Sequence, residues 1–99
     1  MAGDAALERL DPAEFPDGLY SRFPDGCVME TEYTDVNDFS VHKGAVYFML
    51  PGKAPPDSCQ SVEEMRLRLA AQGYSVAERP SATVSGAFLN HVYWKVEKP

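Results

Sequence analysis

The sequence predicts an α+β fold: a mostly antiparallel sheet of about five strands in the order βββαββ, covered by one helix and preceded by a short N-terminal helical turn. Three observations carry that expectation. Strand-like stretches of period two lie on both sides of a single stretch with helical spacing. The aromatic residues, 11% of the chain, are spread over every strand-like stretch, as suits a sheet core. Finally, 99 residues at 44% hydrophobic and 24% charged match one compact domain with one core. That domain is expected to span 1–99, with 1–18 as a helical turn and loop and 19–99 as the α+β core.

Asp4 is placed to cap Ala5 to Leu10, where Leu7 and Leu10 share one face. Asp11-Pro12-Ala13-Glu14 repeats the start signal, and Pro16 with Asp17-Gly18 stops it. From Leu19 the period changes to two. Leu19 to Phe23 and Cys27 to Thr34 read as strands joined at Pro24-Asp25-Gly26, a three-residue hairpin loop with glycine where positive φ is needed. In the second of these, Cys27, Met29, Thr31 and Tyr33 fall on one face, with Val28, Glu30 and Glu32 on the other. Asp35-Val36-Asn37-Asp38 is turn material, and Val41 to Leu50 reads as a third strand ending in an unbroken apolar run from Ala45.

The Pro/Gly-rich stretch 51–57 reads as a crossover loop. A helix over Val62 to Gln72 follows. Ser61 and Glu64 make a capping box, Val62, Met65 and Leu69 make the buried stripe, and Gly73 is the stop. Leu67 falls off that stripe and is a candidate partner contact. Tyr74 to Glu78 reads as a short strand, 81–86 is ambiguous, and Phe88 to Glu97 ends with Val92, Trp94 and Val96 on one side.

Charge narrows the function classes. The formal net charge is −6, and it is uneven: residues 1–40 hold ten acids against two bases, while residues 41–99 hold five acids against seven bases. A balance this acidic disfavours direct binding to nucleic acid or anionic membrane. No apolar run approaches the roughly 18–20 residues of a membrane span, and the first residues lack the basic and apolar regions of a secretory signal. A cytoplasmic location with free thiols at Cys27 and Cys59 is therefore expected. Cys27, in an alternating apolar stretch, suits a buried role, and Cys59, just before a helix start, is at a place where a thiol pKa can be lowered.

Catalytic motifs are sparse. The chain has no glycine-rich phosphate loop, no nucleophile elbow and no His-Glu-x-x-His run. His42 and His91 each lie in a strand-like stretch, so a small enzyme or a ligand- or metal-binding domain using either of them with a carboxylate or cysteine is the alternative reading. The pairs Cys27/His42 and Cys59/His91 are open on paper. Glu30 and Glu32, two apart on one strand, sit at roughly the 6.5–7 Å of a hydrolase acid pair. A homodimeric assembly subunit, joined through an apolar sheet face or edge, is a third option.

The economical reading is a binding surface. Glu30, Glu32, Asp35 and Asp38 run from strand into turn beside Tyr33 and Phe39. Acids steer a basic partner and aromatics anchor it. The expectation is thus a small acidic protein, needing no cofactor and no metal, that docks these six residues on a basic groove of a protein partner. In size and charge it has the gross character of inhibitors carried by phages and mobile elements, some of which imitate the phosphate backbone of a nucleic acid. No family motif supports that analogy.

Overall fold

The computed structural model describes residues 8–9, 17–52 and 57–98. The chain runs β1 (Glu8–Arg9), α1 (Asp17–Arg22), β2 (Cys27–Thr34), β3 (Val41–Met49), β4 (Asp57–Cys59), α2 (Val62–Ala71), β5 (Ser75–Val76), β6 (Ala82–Ser85) and β7 (Leu89–Glu97). The strands form one sheet in the order β1-β6-β7-β2-β3-β4, with β5 paired to the far end of β7. Every neighbouring pair is antiparallel except β1 with β6. The architecture is α+β, as expected, with a richer sheet than five strands. Among the described residues no helix is long and apolar enough to cross a membrane.

The helix α2 forms where local signals put it. Ser61 accepts the backbone N–H of Glu64 at 3.1 Å, and Gly73 takes φ +89° just past the end. Its stripe of Val62, Met65 and Leu69 packs on Val28, Val46, Phe48, Cys59, Val76 and Val96 of the sheet. Arg66 and Arg68 secure it laterally. Arg66 donates to the carbonyl of Val76 at 2.6 Å and lies over the Trp94 ring, while Arg68 donates to the carbonyl of Ser58 and to Glu64.

Two expectations are corrected here. Leu19 to Phe23 is not a strand: Asp17–Arg22 is helical, and Phe23 donates its N–H to the Leu19 carbonyl at 3.0 Å. Leu19 and Phe23, four residues apart, bury together against Cys27, Ala82 and Tyr93 on the opposite sheet face from α2. The sheet is therefore covered on both faces at this end, with no hairpin between residues 19 and 34. Helical turn was also expected over Ala5 to Leu10, yet Glu8–Arg9 is extended and pairs with Ala82–Thr83. The rest of that turn and the Asp11 start signal fall outside the described residues.

Cys27 and Cys59 are free and buried, one under α1 and the other under α2. Burial pushes the Cys27 thiol from its usual 9.0 up to about 12 and the buried Tyr93 hydroxyl up to about 12. Burial also raises Cys59, against the pull of Arg68, which corrects the expectation of a lowered thiol there. A pH dependence follows. Below about pH 9 the Cys27 thiol is protonated in both folded and unfolded chains, and it contributes nothing to the slope. Above that, the unfolded thiol ionises while the folded one keeps its proton, so stability falls as pH rises toward 12, by about 1.4 kcal/mol per pH unit. Denaturant melts at pH 8, 9 and 10 should show this fall, and Cys27→Ala should make it shallower, leaving the smaller share of the raised Cys59 thiol. Parallel slopes for the two proteins would mean that the thiol is not buried as described.

Candidate functional site

The end of the sheet remote from α1 and α2 is built from the β2–β3 loop and the start of β7. Residues 35–40 close into a tight loop: Phe39 donates to the Asp35 carbonyl at 2.7 Å, and Asp35 donates to the Ser40 carbonyl at 2.9 Å. Each aspartate also accepts a backbone N–H, Asp35 Oδ1 from Asn37 and Asp38 Oδ1 from Ser40, both at 2.8 Å. These bonds hold Phe39 at φ +59°, a left-handed conformation uncommon for a bulky residue, and the residue is 79% exposed.

Phe39 has apolar company. Among the described residues seven large hydrophobics are exposed, and six of them, Tyr33, Val36, Phe39, Val41, Phe88 and Leu89, belong to this end. Leu89 is aligned with Tyr33 and Val41 with Thr34, whose N–H reaches the Phe88 carbonyl at 2.9 Å. The seventh, Leu67, is exposed alone on α2.

A bulge in β3 decides which side chains join this end. Glu30 is aligned with Val46 but Glu32 with Lys43, so Gly44 and Ala45 share the place opposite Thr31. A Cβ on Gly44 would lie 3.3 Å from the Thr31 side chain and carbonyl, so the glycine permits the close approach. An unbroken β3 would place His42 on the same face as Val46 and Phe48. The bulge reverses that: His42 stacks on Tyr33 with ring centroids 5.0 Å apart, and Lys43 goes to the other face.

The six expected binding residues are thus split. Tyr33, Asp35, Asp38 and Phe39 stay together at the loop end. Glu30 and Glu32 are on the opposite face of β2 from Tyr33, where Lys43 Nζ lies 3.3 Å and 3.5 Å from their carboxylates. Glu30 is only 8% exposed, between Val46 and Val92 of the flanking strands, which corrects its expected place on an open face. Partial burial works against the charge on Lys43, but the Glu30 and Glu32 carboxylates outweigh it and raise the ammonium pKa. Lys43 offsets part of the charge of the two carboxylates, and the pair does not stand together on an open strand face. The nucleic-acid-mimic reading loses half of its stripe in the same way.

The histidine pairings do not form. His91 is aligned with Thr31, whose Oγ1 lies 3.5 Å from Nδ1, so the two histidines flank β2 from opposite sides. Cys27 is six residues from Tyr33 along β2, roughly 20 Å by strand rise, and so far from His42. Cys59 shares a face with Val46, whereas His91 is on the other. What His42 does meet is unexpected: its ring nitrogens and the carboxylates of Asp35 and Asp38 offer donor atoms all within 4.8 Å of one another.

Val36, Val41, Phe88 and Leu89 were not foreseen as site residues. Val36 and Phe39 carry a usable signal, since apolar residues inside an Asp/Asn turn have no core to fill. Phe88 and Leu89 carry none, because only the β2–β7 pairing brings them here. Comparison with protein-family models, with curated proteins and with solved structures finds no match for the chain.

Proposed function

We propose that this is a small acidic binding protein that docks the loop end of its sheet on a protein partner, the Phe39 ring entering an apolar pocket with basic groups around it. The observation that carries the reading is the gathering, among the described residues, of six of the seven exposed large hydrophobics around one strained, hydrogen-bonded loop. Exposed apolar patches rimmed by polar groups mark interaction sites, and anchors are most often aromatic. The backbone bonds of residues 35–40 spare the partner the entropic cost of ordering the loop. Asp35 and Asp38 supply the rim, and among the described residues neither is ion-paired with a lysine or arginine. They steer a basic surface toward the aromatic tip.

The test is affinity capture from the native host with wild-type, Phe39→Ala, Asp35→Lys/Asp38→Lys and Leu67→Ala baits, followed by titration of the recovered protein. Phe39→Ala should weaken binding by about 30-fold, as an anchor residue does. The double reversal should weaken it strongly and invert the salt dependence, since screening acts over about 8–10 Å. Leu67→Ala should bind as wild type. If the partner is retained by Phe39→Ala and lost with Leu67→Ala, the docking surface is α2. Recovery of the chain itself in place of a partner would overturn the reading in favour of a homodimer.

A further inference from the structure

We propose that Asp35, Asp38 and His42 form a site for a single divalent transition-metal ion of the zinc and manganese class. The donors come from two elements, two carboxylates from the loop and one imidazole from the second residue of β3, and converge within 4.8 Å. An ion bound at about 2.0–2.2 Å holds tetrahedral ligands roughly 3.3–3.6 Å apart, so side-chain rotations that draw the donors in by about 1–1.5 Å close the set. Donor type selects the metal. Carboxylates alone suit calcium or magnesium, whereas a nitrogen donor among them shifts preference to zinc, manganese, cobalt or nickel. Three protein ligands on an open surface leave the remaining positions to water.

The sequence arranges this through features already described. The bulge at Gly44–Ala45 turns His42 toward the face of Tyr33, whose ring stacks on the imidazole and limits its rotation. It sends Lys43, the neighbouring cation, to Glu30 and Glu32 on the other face. Two anionic groups are left close together beside an imidazole, and a cation between them removes their mutual repulsion. Metal binding stands apart from the docking proposal and is measured on the isolated protein, so either can fail without the other. If both hold, the ion would lower the negative charge that steers a partner.

Backbone amide NMR spectra recorded during titration with Mn²⁺ test the proposal, with calorimetric titration of Zn²⁺ as a second readout. At substoichiometric Mn²⁺, paramagnetic broadening should be strongest at amides of the 35–42 segment and its strand neighbours Tyr33, Thr34 and Leu89, and should fall away with distance from them. Zn²⁺ should bind with a stoichiometry of one. His42→Ala should weaken binding by more than about tenfold while His91→Ala leaves it unchanged. Asp35→Asn and Asp38→Asn keep a carbonyl oxygen to accept the Asn37 and Ser40 amides, so the loop survives while the charge is lost. Each should weaken binding with an otherwise unaltered spectrum. Broadening spread over the acidic first half of the chain, equal binding by His42→Ala, or competition by Ca²⁺ as effective as by Zn²⁺ would overturn the proposal.

Discussion

Leu69→Ala is expected to cost about 2–4 kcal/mol of folding stability, and Leu67→Ala, two positions away on the same helix, less than about half a kcal/mol. Leu69 is 1% exposed and packs in the cluster that joins α2 to β2, β3 and β7, whereas Leu67 is 75% exposed. Truncating Leu69 removes apolar contacts and leaves a cavity that the surrounding strands cannot collapse to fill. Both substitutions bring alanine into a helix, so intrinsic propensity shifts them alike and the difference reports packing alone. Urea melts of the two variants decide the matter. Near-equal losses would mean that α2 does not lie on the sheet through its Val62–Met65–Leu69 stripe.

The parts of the fold legible in the sequence are those written in local signals. The cap at Ser61, the stop at Gly73 and a stripe at spacings of three and four define α2 without reference to the rest of the chain. Alternation along β2 and at the end of β7, and the apolar run that closes β3, suffice for those three strands. The segment 19–23 shows where such reading breaks down. Leu19 and Phe23 are four apart, which puts them on one face of a helix and on one face of a strand alike. Over five residues only the surroundings choose, and here the apolar patch of Cys27, Ala82 and Tyr93 accepts a helical turn. Glu8–Arg9 and Asp57–Cys59 are extended because a partner strand is present, and partners distant in sequence leave no local trace.

The grouping of the candidate site was legible in half. Asp35, Asp38, Tyr33 and Phe39 are neighbours in sequence and remain neighbours in space. The place of Glu30 and Glu32 depends on a residue that looked incidental. Gly44 inside an otherwise good strand pattern is the mark of a bulge, and a bulge exchanges faces for everything beyond it. Read that way, the sequence would have sent Lys43 to the glutamates and His42 to Tyr33. The strain at Phe39 has no such mark, since nothing in its identity favours positive φ.

Gly26→Ala is expected to be the most damaging single methyl group the chain can gain at a described glycine, at about 2–5 kcal/mol. Gly26 sits at φ +101°, beyond the left-handed region that other residues tolerate, and forcing alanine there costs about 1–3 kcal/mol. The new Cβ would also stand 2.8 Å from the Met49 carbonyl oxygen, 2.9 Å from Phe48 Cε1 and 3.2 Å from Leu50 Cδ1. The first of these is backbone in a paired strand and cannot swing aside, so overpacking adds about another 1–3 kcal/mol. The turn is also held from two directions, its N–H donated to Phe23 and its carbonyl accepting from Val96 at 3.3 Å. Gly73→Ala is the control, because φ there is +89° with nothing within 4 Å of the added carbon. It bears the backbone strain without the collision. Unfolding free energies from denaturant melts should therefore place Gly26→Ala below Gly73→Ala by more than about 1 kcal/mol, and equal values would show that the close approach of β3 to this turn is wrong. Gly26 precedes β2, whereas the loop of Asp35 and Phe39 follows it, about 25 Å away by strand rise. At temperatures where the variant is still folded, Zn²⁺ and partner binding at the loop end should be those of the wild type.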